Sequence, residues 1–152
     1  MFVSGGTRTM KHILPLTYEP KILNVLTGKC TQTIRTGRRI QHGDEISFHG
    51  WQGKPYRSKW SFRTPYWKVT ETPWIIIFPD GIRLENKYLA RRDAITELIP
   101  WSRFDGLARF DSIDPPTGEE LGKVLTSKNK IPESGAPAQI IRWKYENKEE
   151  PK

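Results

Sequence analysis

Leu26-Thr27-Gly28-Lys29-Cys30-Thr31-Gln32-Thr33-Ile34-Arg35, with Gly43-Asp44-Glu45-Ile46-Ser47-Phe48 shortly behind it, is the stretch whose reading decides the fold. Gly28 ends whatever precedes it, because glycine takes a left-handed helix cap without a Cβ clash. From Cys30 to Arg35 the residues alternate and are rich in β-branched side chains, which predicts a strand. Thr31 and Thr33 then share one face, and Cys30, Gln32 and Ile34 the other. Thr36-Gly37 and His42-Gly43-Asp44 read as turns, the second launching a strand over 45–49.

Upstream, residues 12–16 predict a short strand whose Pro15 marks an edge or an end. Residues 17–26 predict a helix with Thr17 as its cap, Pro20 in its first turn, and Ile22, Leu23, Val25 and Leu26 as its apolar face. Downstream, strands are predicted over 58–62 and 66–71, and Trp74–Phe78 is apolar throughout, which predicts a fully buried strand. Pro79-Asp80-Gly81 turns the chain into Ile82-Arg83-Leu84. Helical composition follows over 87–98, a second helix over 101–110, and a third over 119–125 capped by Thr117; residues 139–145 alternate as a closing strand. The sum is an α+β domain built on a partly closed β-barrel, with an early helix and a helical insertion before the last strand. It occupies residues 10–146, between a disordered extension at 1–9 and a charged tail at 147–152.

Composition narrows the function classes. The 152 residues carry 25 Lys+Arg against 17 Asp+Glu, a net charge of +8, which makes a polyanion the default partner. The cations Lys29, Arg35, Arg38, Arg39, Lys54, Arg57, Lys59, Arg63 and Lys68 share a window with only two acids, Asp44 and Glu45. Trp51, Tyr56, Trp60, Phe62, Tyr66 and Trp67 interleave with them, a mixture suited to gripping phosphates and stacking exposed bases. A solvated basic surface is the plainer alternative. Six Trp, five Tyr and six Phe exclude a disordered chain, and one cysteine excludes a disulfide framework. No apolar run approaches the roughly 20 residues of a bilayer span, and no signal peptide is seen, so a cytoplasmic protein without membrane contact is expected. His42 and His49 lie seven apart with no Cys-x-x-Cys, so no metal is expected, and no phosphate loop or serine elbow implies a cofactor.

The ordered motifs Gly28-Lys29-Cys30-Thr31-Gln32-Thr33-Ile34-Arg35, Gly43-Asp44, and Leu107-Ala108-Arg109-Phe110-Asp111 followed by Glu119-Glu120-Leu121 resemble the ASCH superfamily of PUA-like barrels. A second Leu-Ala-x-x-Asp copy at Leu89–Asp93 competes with Leu107–Asp111, which is preferred for the Glu-Glu-Leu helix behind it. The resemblance spans residues 12–145 and implies a cleft beside the first helix that accepts a nucleoside or an RNA base. One branch, the acetylcytidine amidohydrolases, uses a Lys, a Thr and a Glu. Matched residue by residue, these fall on Cys30, Thr33 and Asp111, so the threonine is kept, the acid is one methylene shorter, and the lysine is replaced.

Two functions are therefore carried forward. The first is an RNA- or nucleoside-binding domain using Arg35, Arg38, Arg39, Trp51, Lys54, Arg57, Trp60 and Arg63. The second is a hydrolase on a modified nucleoside or on RNA, with Thr33 as nucleophile, Asp111 as acid-base partner, and Lys29 or another cation nearby. The replaced lysine favours binding. Cys30 has two readings, a thiol nucleophile served by a histidine or a small buried strand residue. Thr33 and Asp111 also have structural readings, as a strand residue and a turn aspartate, and Arg35 one as an ion-pair partner of Asp44 or Asp111.

Overall fold

The structure, a computed structural model, describes residues 9–51, 60–84 and 98–146. Within them the chain runs β1 (Lys11–Pro15), α1 (Glu19–Leu26), β2 (Gln32–Thr36), β3 (Glu45–Trp51), β4 (Trp60–Arg63), β5 (Trp67–Glu71), β6 (Trp74–Phe78), β7 (Gly81–Leu84), β8 (Ile99–Pro100), a 3-10 turn (Trp101–Arg103), α2 (Asp105–Phe110), α3 (Gly118–Lys128) and β9 (Ala136–Trp143). The helix expected over 87–98 falls almost wholly outside the described residues. So do Lys54, Arg57, the tail at 147–152, nearly all of the N-terminal extension, and the side chains of Trp51 and Trp60.

The result is a mixed α+β fold with one large, mostly antiparallel sheet and few helices. β9 organises it, because eight alternating residues present hydrogen-bonding groups along both edges. One edge takes β2, pairing Gln32 with Arg142 and Ile34 with Ile140; the other takes β6 and, farther along, β5. β1 pairs with β3 in parallel, and every other ladder is antiparallel. The path runs β1-β3-β5-β9-β6-β7-β8, with β2 branching from β9 and β4 from β3, and these pairings do not close into a ring.

Alternation along β9 sends successive side chains to two cores. Ile141 and Trp143 join Leu14, Val25, Phe48 and Trp67 in one, while Ala138 and Ile140 join Ile34, Ile75, Ile77, Trp101 and Leu121 in the other. Trp67 and Trp143 stack within 3° of parallel at the centre of the first. The second is closed by α3, whose Gly118 and Gly122 lie against Trp101. A Cβ at Gly118 would strike the Trp101 carbonyl, and one at Gly122 would come within 2.6 Å of its indole.

Four expectations need correction. Thr17 does not cap α1; Tyr18 holds the cap position without a side-chain bond, and Thr17 instead accepts a hydrogen bond from Lys128 at 2.7 Å. Leu23 is not on the buried face of α1 but 68% exposed, since its buried residues are Lys21 and Val25. Trp74–Phe78 is not fully buried: Ile75 and Ile77 enter the core and the other three are half-buried, because only one side of β6 is covered that deeply. The helix expected over 101–110 breaks at Phe104, whose φ −109° and ψ 32° belong to neither half. In β2, by contrast with a one-sided strand, Gln32, Thr33 and Ile34 are all buried, since α1 and the α2–α3 unit cover what the sheet does not.

Candidate active site

Helix α1 carries a lysine where helix physics disfavours one. Lys21 lies in the first turn, where the helix dipole repels a cation, and it is only 4% exposed. What offsets that cost is a carboxylate and a hydroxyl brought to it from elsewhere in the chain. Its Nζ sits 3.1 Å from Asp111 Oδ1 and donates to Thr33 Oγ1 at 3.1 Å. Thr33 is delivered by β2, and Asp111 by the residue that ends α2. Ser112, at φ 57°, turns the chain away immediately after it.

Each group is held by further neighbours. Arg35 Nε donates to Thr33 Oγ1 at 3.1 Å, so the hydroxyl accepts from two cations and its own proton is left to point elsewhere. Gln32 Nε2 lies 3.5 Å from Asp111 Oδ1, while its Oε1 accepts from Arg142 Nε at 3.0 Å, which fixes the amide with its NH2 toward Asp111. Burial raises the Asp111 carboxyl above its ordinary range, against the lowering effects of Lys21, Gln32 and Arg35.

Thr33 and Asp111 open onto a cleft of about 240 Å³ between α1, β2 and the C-terminal end of α3. Lys21, Arg35, Arg38 and Lys128 line it, with Asp111 as the sole acid among the described lining residues; Tyr18 and Ile34 add apolar wall. Lys128 lies over the Tyr18 ring at 5.7 Å, and burial together with Arg35 and Lys21 pushes its ammonium below the ordinary lysine range. Across the mouth Thr36 Oγ1 donates to Asn129 Oδ1 at 2.9 Å, tying β2 to the end of α3.

The structure thus brings Thr33, Asp111, Arg35 and Arg38 together and leaves other expected residues apart. Cys30 is fully buried, its thiol against the carbonyls of Gln32 and Phe110, which fits the packing residue and not an accessible nucleophile. Lys29 is exposed and lines a separate, broader hollow with Asn24, Arg109 and Ser112. Arg39 is exposed outside the cleft, and Arg63 donates instead to Ser47 and Tyr66. Asp44 is not the partner of Arg35: it lies 2.9 Å from His12 Nε2 and accepts from the amides of Met10 and Gln41. Lys21, Gln32 and Lys128 are site residues that sequence reasoning missed. Lys21 has a legible signal, since it lies four positions before Val25 and so shares its helix face.

Among the described residues no group of three or more His, Cys, Asp or Glu stands close enough to hold a metal ion, and no helix is long and apolar enough to cross a membrane. No family model, curated protein or solved structure matches the chain.

Proposed function

We propose that the protein is a hydrolase that removes an acyl group from the amide nitrogen of a modified nucleobase, on an ASCH-type, PUA-like scaffold. One observation carries the reading: a buried amine, Lys21, bridges a threonine hydroxyl and a carboxylate at the floor of an open cleft. The amidohydrolase resemblance lacks its lysine at position 30, and here an amine reaches the same threonine and acid from α1. A structural ion pair needs the carboxylate alone, whereas here the same ammonium also reaches a hydroxyl that lines the cleft. The cleft volume of about 240 Å³ suits a single heterocycle with a small substituent.

In this reading Thr33 Oγ attacks the acyl carbonyl. Lys21, which donates to Thr33 Oγ1 at rest, first passes a proton to the Asp111 carboxylate; the neutral amine then accepts the Thr33 proton as the hydroxyl turns it inward, so the net transfer is from hydroxyl to carboxylate. The raised acid range of Asp111 makes that carboxylate a competent acceptor. Asp111 then returns the proton, by the same relay, to the departing amine as the C–N bond breaks. Water hydrolyses the acyl-threonine ester and restores the hydroxyl. Arg35, at Thr33 Oγ, stabilises the negative charge as it develops.

Incubation with acetylcytidine, followed by chromatographic detection of cytidine and acetate, tests this. The wild type turns the substrate over, and Thr33→Ala and Lys21→Ala each lose at least about a hundredfold in kcat/KM. Absence of turnover by the wild type, or turnover that survives Thr33→Ala, overturns the proposal.

A further inference from the structure

Asp111 is followed by a residue whose backbone suits glycine better than serine. Among the described residues Ser112 is the one non-glycine residue with a positive φ, 57°. The end of α2 demands that turn. The Ser112 amide donates to the Arg109 carbonyl at 3.1 Å and the Ile113 amide to the Ala108 carbonyl at 3.0 Å, the paired bonds that close a helix on a left-handed residue. Ile113 and Ala108 are both buried in the second core. Glycine is favoured in such a turn, because a Cβ is strained in the left-handed region. What serine has and glycine lacks is a hydroxyl, and Ser112 Oγ accepts from Asn24 Nδ2 at 3.1 Å. Asn24 stands one helical turn after Lys21 on α1, and its backbone carbonyl is itself held by the Cys30 amide at 2.9 Å. Two side chains of one helix thus hold two consecutive residues: Lys21 grips Asp111, and Asn24 grips Ser112.

We infer that Asn24 and Ser112 are positioning residues, a tether that keeps the Asp111 carboxyl against Lys21 in a geometry ready for proton transfer. The inference rests on the deacylation reading above and adds to it a pair that does not line the cleft. With glycine at 112 the left-handed turn persists, but the backbone next to Asp111 gains freedom and the carboxyl is left to its own side-chain contacts. A displacement on the order of 1 Å at a reacting group is enough to cost a large factor in rate.

Two readouts on the full chain test the tether, one of them independent of activity. By NMR of isotope-labelled protein, the Lys21 ammonium protons exchange with water at least about fivefold faster in Ser112→Gly and in Asn24→Ala, as the carboxylate that shields them loosens. In acetylcytidine hydrolysis each variant loses about tenfold in kcat with KM unchanged, and the double variant loses no more than either single one, since both cut the same bond. The urea midpoint of Ser112→Gly stays close to that of the wild type, because relief of the strained φ offsets the lost hydrogen bond, so its loss of kcat is not a loss of fold. Unchanged ammonium exchange in both variants, or additive losses of kcat in the double variant, overturns the inference. Deacylation that keeps the wild-type kcat in both variants defeats this inference alone. Faster exchange in both variants of a chain that does not deacylate supports the tether and defeats the hydrolase reading alone.

Discussion

Lys21 lies one helical turn before Val25, and these two are the buried residues of α1. Val25 enters the core beside Leu14 and Phe48, and in doing so fixes the rotation of the helix about its axis. The same rotation delivers the Lys21 ammonium to Thr33 and Asp111. A packing contact therefore aims a site residue, and Leu23, apolar though it is, is left in solvent.

The Lys21–Asp111 pair is expected to be strongly coupled in stability. Lys21→Met leaves a buried carboxyl without its ammonium and costs about 3–5 kcal/mol. Adding Asp111→Asn removes the orphaned charge, so the double variant is more stable than the sum of the two single losses requires. Urea unfolding of all four proteins measures the cycle, and strict additivity would sink the coupling.

In the proposed deacylation Asp111 must be ionised to accept a proton, so kcat/KM for that reaction is expected to rise with pH through its acid range. That rise is expected above the ordinary aspartate value of 3.8, because burial raises this carboxyl. Arg35 is one of the groups holding it down, so Arg35→Gln moves the rise to still higher pH, besides lowering the plateau. A rise that stays in place in Arg35→Gln, or moves to lower pH, contradicts the assignment of the limb to Asp111.

The Asp44 carboxyl is shifted in the opposite direction to that of Asp111. Burial alone would raise its pKa, but the amide of Gln41, His12 and the amide of Met10 together take it below 3.8. A carboxylate whose folded pKa is depressed adds stability above its unfolded value, and that stability is lost as pH falls through the folded one. Asp44→Asn is thus less stable than wild type near neutrality, and the difference shrinks as pH falls below the ordinary aspartate value of 3.8. Thermal melts across that range check it; a gap that widens on acidification would be the wrong sign.

Thr117 caps α3 by accepting from the amide of Glu120 at 3.1 Å. Thr117→Ala is expected to cost about 0.5–2 kcal/mol, and Thr117→Ser much less. Denaturant midpoints for the two variants give the comparison.

The Thr117 cap is legible in the amino-acid sequence alone, because a cap, two acids and an apolar face recur at fixed offsets. The strands β2 and β9 are legible for the same kind of reason, since alternation is a local property of their residues. β6 shows where such reading stops: all five residues of Trp74–Phe78 are apolar, so composition hides an alternation that the packing imposes. α1 shows a second limit. Its apolar residues define an arc broad enough to allow more than one rotation, and contacts with Phe48 and Asp111, far along the chain, select among them. Thr33 and Asp111 can be matched by motif, but the amine between them comes from another element. No spacing rule connects a helix residue to a turn ninety positions later.

The seat of α3 on Trp101 has a consequence for how this site can change. The two glycines at the start of the helix determine how closely it approaches the sheet, and Lys128, ten residues on from Gly118, stands about 15 Å away along the axis. A methyl group at Gly122 would meet the indole, and α3, which supplies Val124, Leu125 and Lys128 to the cleft wall, would have to shift against Trp101 without any change in the residues that line the cleft. The shape of the cleft is thus coupled to a contact outside it: variants that change what the cleft accepts are to be sought under the indole as well as on the cleft wall.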